Sequence, residues 1–231
     1  MTEKDKYGFN QAWLDPQVQA EVYRQFNAQG ELVADDGGYV LSHIAADEDF
    51  CVRLVDEVVE HLCEDDYVLS VAEGQGHLVR ELLTRGLKHI ECVDICPENV
   101  AAAQKQGIAM IEGNAHALPY GEDVFDVVII NESIGAIGLS DALVEARRVL
   151  KIGGRIIITT YVYIEHDDVD VSSDVVKYRY VLPTVIEQAL KEHDFKVTHG
   201  SSVMIRELPQ ELIDDGHEGD HMRLIVAEKK R

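Results

Sequence analysis

The feature that most constrains this chain is the stretch from Tyr67 to Asp94, YVLSVAEGQGHLVRELLTRGLKHIECVD. An apolar run (Val68, Leu69, Val71) meets a Gly-x-Gly turn at Gly74 and Gly76. Leu78, Val79, Leu82 and Leu83 then recur at helical spacing up to Gly86, and a second apolar run, Ile90 to Val93, ends at Asp94. The order is strand, glycine turn, helix, strand, acid. Such a unit suits a nucleoside ligand. Glycine backbone permits close approach, and an acid at the end of the second strand accepts hydrogen bonds from ribose hydroxyls.

The flanking chain repeats the alternation. Phe50, Leu54, Val55, Val58, Val59 and Leu62 predict a helix over about 47–63. Pro97 with Glu98 predicts a helix start, ended near Gly107. A short strand is expected over 108–111 and a continuous apolar strand over 125–130, as for a strand buried on both faces. A loop over 131–140, a helix to about Leu150, a turn over 151–154 and a strand over 155–161 follow. Residues 162–181 read as irregular. A helix over 183–192 and strands at 195–204 and 222–227 complete the chain, the last two forming an antiparallel edge pair. The fold class is α/β: a Rossmann-like, doubly wound, seven-stranded sheet, mostly parallel, with an antiparallel last strand.

With 231 residues and no low-complexity linker, the chain reads as one domain over 1–231. Residues 1–45 form an N-terminal helical lid. Pro16, Val18, Val22 and Phe26 predict its helix, ending at Gly30, and Tyr7, Phe9, Trp13, Tyr23 and Phe26 serve either to pin it or to cover a site. A net charge of −22 argues against nucleic acid and anionic membrane as partners. No run approaches a membrane span, the N-terminus lacks an apolar leader core, and Cys51, Cys63, Cys92 and Cys96 contain no Cys-x-x-Cys. Reduced thiols and a cytoplasmic location are the reading. The composition leaves oligomeric state open, a homodimer included. Asp214, Asp215, His217, Glu218, Asp220 and His221 crowd one late loop, but their spacing matches no metal motif, so no metal is assigned.

Four segments in order resemble the class I S-adenosylmethionine (SAM) dependent methyltransferases, of methyltransferase type 11 character. These are VLSVAEGQG, then Asp94, then Gly113-Asn114-Ala115 with Leu118-Pro119-Tyr120, then Arg148-Val149-Leu150-Lys151-Ile152-Gly153-Gly154. A dinucleotide-binding dehydrogenase fits less well, because Val79 stands where its third glycine would be. The resemblance implies SAM as cofactor. It sets Gly74 and Gly76 against the amino-acid portion, Asp94 on the ribose and Ile95 on the adenine. It also sets Asn114 and Ala115 at the adenine edge and Asn131 in the pocket wall. Ser70, Ala72 and Asn114 depart from the family's acid, first glycine and usual aspartate, and Glu73 is either a solvent-facing turn residue or the carboxylate that takes over the role of an acid at 70. Ala72 is tolerable if its backbone stays in an ordinary region.

The implied activity is methyl transfer to a small-molecule acceptor. The alternative is a non-catalytic protein of this fold that binds SAM or another metabolite, motivated by Ser70 and Ala72. A basic protein acceptor is a minor third possibility. No catalytic signature stands out. Glu132, after the fourth strand, and Tyr161 and His166, after the fifth, are the candidates for base or substrate contact.

Overall fold

The computed structural model describes residues 4–12, 14–29, 48–162, 170–172, 177–179, 181–204 and 221–231. The elements are α1 (Pro16–Gln29), α2 (Glu48–Val59), β1 (Tyr67–Val71), α3 (His77–Thr84), β2 (His89–Asp94), α4 (Pro97–Lys105), β3 (Met110–Glu112), β4 (Phe125–Asn131), α5 (Ile134–Ile137), α6 (Ser140–Val149), β5 (Leu150–Val162), β6 (Asp170–Ser172), β7 (Lys177–Arg179), α7 (Pro183–Glu192), β8 (Phe195–Met204) and β9 (His221–Lys229).

Seven strands form one sheet in the order β3-β2-β1-β4-β5-β9-β8. The pairs from β3 through β5 are parallel, and β9 runs antiparallel between β5 and β8. The order reverses between β1 and β4, so a crevice opens beyond the carboxyl ends of those strands, where open α/β sheets hold ligands. The β6–β7 hairpin is separate from the sheet.

The apolar runs in the sequence become strands buried on both faces. Val68, Leu69, Val127 to Ile130 and Ile156 to Ile158 are fully buried. Each such side chain contributes about 1.5–3 kcal/mol relative to exposure. One core packs Leu54, Val55, Val58, Leu78, Val79 and Leu82 of α2 and α3 on the sheet, and the other packs Leu139, Leu143, Ile186 and Leu190 beside α6 and α7. Tyr7 and Phe9 of the N-terminal segment are buried in this second core.

Three local expectations differ from the structure. The segment 131–140 contains α5, which is too short for its periodicity to be legible. The turn over 151–154 is absorbed into β5 as an irregularity in its pairing with β4, between Phe125 and Val127. A Cβ on Gly154 would lie 2.8 Å from the Lys151 carbonyl oxygen, so only glycine allows the chain to fold back this closely. The first parallel edge strand spans 110–112 rather than 108–111. The acidic segment 214–220 lies outside the described residues.

Candidate active site

The β1–α3 turn reverses the chain through a run of left-handed residues. Ala72 has φ +54°, Gly74 +67° and Gly76 +87°. The Ala72 N–H donates to the Val93 carbonyl at 2.8 Å, which carries the β1–β2 ladder one residue past the strand and holds Ala72 in place. The condition under which Ala72 is tolerable, an ordinary backbone region, is therefore not met. An L-residue here brings its methyl close to the following carbonyl, a conformation that costs roughly 1–2 kcal/mol. At Gly76 the positive φ favours glycine, and a Cβ there would lie 2.4 Å from Ile108 Cδ1, so that side chain would have to move.

Ser70 is fully buried and donates its hydroxyl to Glu73 Oε2. Glu73 Oε1 accepts the Val79 N–H at 3.2 Å, so its half-buried carboxylate caps the first turn of α3. Burial is the main cause that raises the Glu73 carboxyl to about 7, with Asp94 adding repulsion against these hydrogen bonds. A carboxylate from position 73 thus lies beside the serine at position 70.

Asp94 ends β2 and is 5% exposed. Its Oδ1 accepts the Cys96 N–H at 2.9 Å and the Asn99 amide at 3.0 Å, and its Oδ2 accepts the Gly74 N–H at 2.8 Å. Burial pushes its carboxyl up while these donors pull it down. A carboxylate has about four acceptor positions. Three are filled from within the chain, which leaves one on Oδ2.

The other wall is the segment 113–120. Asn114 Oδ1 accepts the His116 N–H at 2.9 Å, and the His116 ring donates from Nε2 to the Ile137 carbonyl at 2.5 Å. Arg148 holds this segment. It donates to the Tyr120 carbonyl at 2.7 Å, to the Leu118 carbonyl at 3.0 Å and to Glu145, whose Oε2 in turn accepts the Leu118 N–H at 2.7 Å. Two motifs thirty residues apart are thereby one device, with Arg148 fixing the loop that presents Asn114 and Ala115.

At the end of β4, Asn131 Oδ1 accepts the Thr159 hydroxyl at 2.6 Å, which turns the amide toward β5. Glu132 has φ +54°, and its N–H donates to both the carbonyl and the hydroxyl oxygen of Thr159 at 3.1 Å. Burial first, and the charge of Glu73 second, raise the Glu132 carboxyl to about 8. Two acidic side chains from neighbouring strand ends therefore repel each other at the carboxyl edge of the sheet.

A cavity of about 50 Å³ brings together Ala72, Gly74, Asp94, Ile95, Asn114 and Ala115 with Gln19 and Tyr23 of α1. Burial and the charge of Asp94 push the Tyr23 hydroxyl's pKa up. Ser70, Glu73, Gly76, Asn131 and Glu132 surround the strand ends without lining this cavity. His166 and the side chain of Tyr161 lie outside the described residues, as do Trp13 and the side chain of Phe26. Reading the sequence missed Asn99, Glu145 and Thr159 as positioning residues. Asn99 alone had a legible signal, a polar residue in the first turn after Asp94.

The reversal of strand order, the left-handed glycine turn and the acid closing β2 define the class I SAM-dependent methyltransferase fold. Residues 69–158 match the methyltransferase domain family. It is 29% identical over 46% of its length to a demethylmenaquinone methyltransferase of Thermobifida fusca. It is 32% identical over 42% of its length to a ubiquinone/menaquinone biosynthesis C-methyltransferase of Paracoccus denitrificans. The match spans 48% and 43% of those two proteins, under half of each. Among solved structures, the fold is similar to geranyl diphosphate C-methyltransferase of Streptomyces coelicolor. The TM-score is 0.64 at 13% identity, covering 93% of this chain and 97% of that one. Among the described residues, no helix is long and apolar enough to cross a membrane.

Proposed function

We propose that this chain transfers the methyl group of SAM to a small-molecule acceptor. The observation that carries the reading is Asp94, buried at the end of β2 with one acceptor position left on Oδ2, beside the Gly74 turn and inside the matched methyltransferase segment. The donor set fits the cofactor. Asp94 and the Ile95 side chain suit the ribose and adenine, and Asn114 and Ala115 suit the adenine edge. Gly74 and Gly76 suit the methionine portion, whose ammonium and sulfonium charges match the acidic pair Glu73 and Glu132. Ser70 supports Glu73 there, and Ala72 and Asn131 flank the turn and the β4 end.

Bound SAM supplies an activated methyl group for in-line displacement, and the protein's part is alignment. Glu73 holds its carboxylate at the N-terminus of α3, where a cationic ligand favours the ionised form. Glu132, raised to about 8, suits a general base that takes a proton from the acceptor at near-neutral pH. Tyr161 and His166 follow the same sheet edge in sequence and are the remaining candidates for acceptor contact. The cavity of about 50 Å³ is well below the roughly 300–1,000 Å³ of ligand pockets. Helix α1 therefore acts as a lid, with Tyr23 and Gln19 withdrawing to load the cofactor and closing over it afterwards. The quinone-pathway relatives favour an electron-rich ring as acceptor.

A second reading is favoured by Ala72, whose strained backbone and methyl crowd the turn: the chain binds SAM or another metabolite without transferring the methyl group. Calorimetry with SAM and S-adenosylhomocysteine, followed by transfer of radiolabelled methyl to a panel of hydroquinones and phenols, separates the two. Binding with turnover is the expected result. Binding without turnover on any acceptor favours the second reading, and absence of binding ends both.

A further inference from the structure

We propose that Glu57, His61 and His199 form a binding site for a divalent transition metal of the zinc class, which clamps the end of α2 to the edge strand β8. Glu57 lies in the last turn of α2 and His61 in the turn that continues it, where the His61 N–H donates to the Val58 carbonyl at 3.1 Å. That i, i+4 spacing puts both side chains on one face. His199 comes from β8 at a bulge, where the pairing with β9 shifts between Val197 and His199. A bulge re-aims the side chain that follows it.

One ligand atom from each of the three side chains lies within 4.8 Å of the other two. Ligands about 2.0–2.1 Å from a tetrahedral zinc ion stand about 3.4 Å apart, so small rotations close the site. The second observation is the state of the imidazoles. The rings pack with centroids 4.4 Å apart, and the Nε2 atoms of both His61 and His199 are shut from solvent with no hydrogen-bond partner. A buried ring nitrogen without a partner is costly, and a metal ion removes that cost. Ser201 donates to Glu57 Oε2 at 3.1 Å, which orients the carboxylate and leaves Oε1 for the ion. Arg155, a neighbouring cation, is paired with Asp66 at 2.5 Å. Two imidazoles and one carboxylate are a zinc donor set, with a fourth position for water. The site joins α2 to β8 and contains none of the residues that line the cofactor cavity.

The test uses the full chain after chelator treatment, titrated with Co²⁺ for its d–d absorption and with Zn²⁺ by calorimetry. One equivalent per chain is expected, with a melting temperature that rises with free Zn²⁺ as binding to the native state requires. His199→Ala and His61→Gln should each weaken Zn²⁺ binding by about 100-fold or more, the upper end of what disturbing a metal shell costs. Far-UV circular dichroism checks that both variants are folded. The double variant His217→Ala/His221→Ala should bind as the parent does. Absence of Zn²⁺ and Co²⁺ binding by the parent at micromolar metal overturns the proposal. So does unchanged affinity in folded His199→Ala or His61→Gln, or loss of binding in the late-loop variant alone.

Discussion

Asp94 Oδ2 accepts the Gly74 N–H at 2.8 Å across twenty residues of chain. This single bond joins the acid that closes β2 to the glycine turn, so the two features proposed to hold the nucleoside are tied by one contact. Asp94→Ala removes the acceptor for Gly74, Cys96 and Asn99 together. The expected outcome is a loss of about 1–3 kcal/mol in urea unfolding, the cost of leaving buried donors unpaired. SAM affinity should fall at least tenfold by calorimetry. A variant that binds SAM like the parent would remove Asp94 from the site.

Ala72 tests the strain argument. At φ +54° glycine carries no Cβ penalty, so Ala72→Gly should stabilise the fold by about 0.5–1 kcal/mol despite its greater freedom in the unfolded chain. The midpoint of thermal unfolding should rise, and SAM affinity should rise with it as the methyl leaves the turn. A lower midpoint would show that the left-handed backbone is not the controlling feature.

The acidic pair makes stability depend on pH with a definite sign. Glu73 is raised to about 7 and Glu132 to about 8, both above their unfolded value near 4.5. Between these limits the native state holds more protons than the unfolded state, so this contribution to stability falls as pH rises from about 4.5 to about 8. Glu132→Gln should flatten that fall and increase stability at the alkaline end. A cationic ligand reverses the preference. SAM binding should release protons near neutral pH, and its affinity should increase toward pH 8. Calorimetry in buffers of different ionisation enthalpy measures that release, and proton uptake on binding would contradict the placement of the pair.

Arg148 is a positioning residue for the wall formed by 113–120. Arg148→Ala frees the Leu118 and Tyr120 carbonyls and leaves Glu145 with the Leu118 N–H but without its cationic partner. A stability loss of about 1.5–3 kcal/mol is expected, as for hydrogen bonds to a charged group. SAM affinity should also fall, and Arg148→Lys should restore little, since a lysine cannot reproduce the planar fork. If affinity holds while stability drops, the loop keeps its shape without this anchor.

Tyr23 tests the lid. Tyr23→Ala removes a half-buried ring from the α1 side of the cavity. Faster dissociation of SAM in stopped-flow competition is expected, with little change in its association rate. Unchanged dissociation would mean that α1 does not cover the ligand.

Much of this architecture was legible in the chain. The period of apolar residues gave the strands and long helices, because a doubly wound sheet buries its strands on both faces and its helices on one. The Gly-x-Gly turn and Asp94 were legible because close backbone approach and a terminal acid each require particular residue types. Local patterning did not reveal what depends on a partner distant in sequence. The hydrogen bond of Ser70 to Glu73, the repulsion between Glu73 and Glu132, and the hold of Arg148 on Leu118 and Tyr120 are all of this kind. The left-handed backbone at Ala72 is another, since the bond to Val93 on the next strand imposes it against the residue's own preference. Residue type and spacing fixed which chemical groups stand at the strand ends. Burial and cross-strand contact, which exist only in the folded molecule, decided their protonation, their strain and their partners.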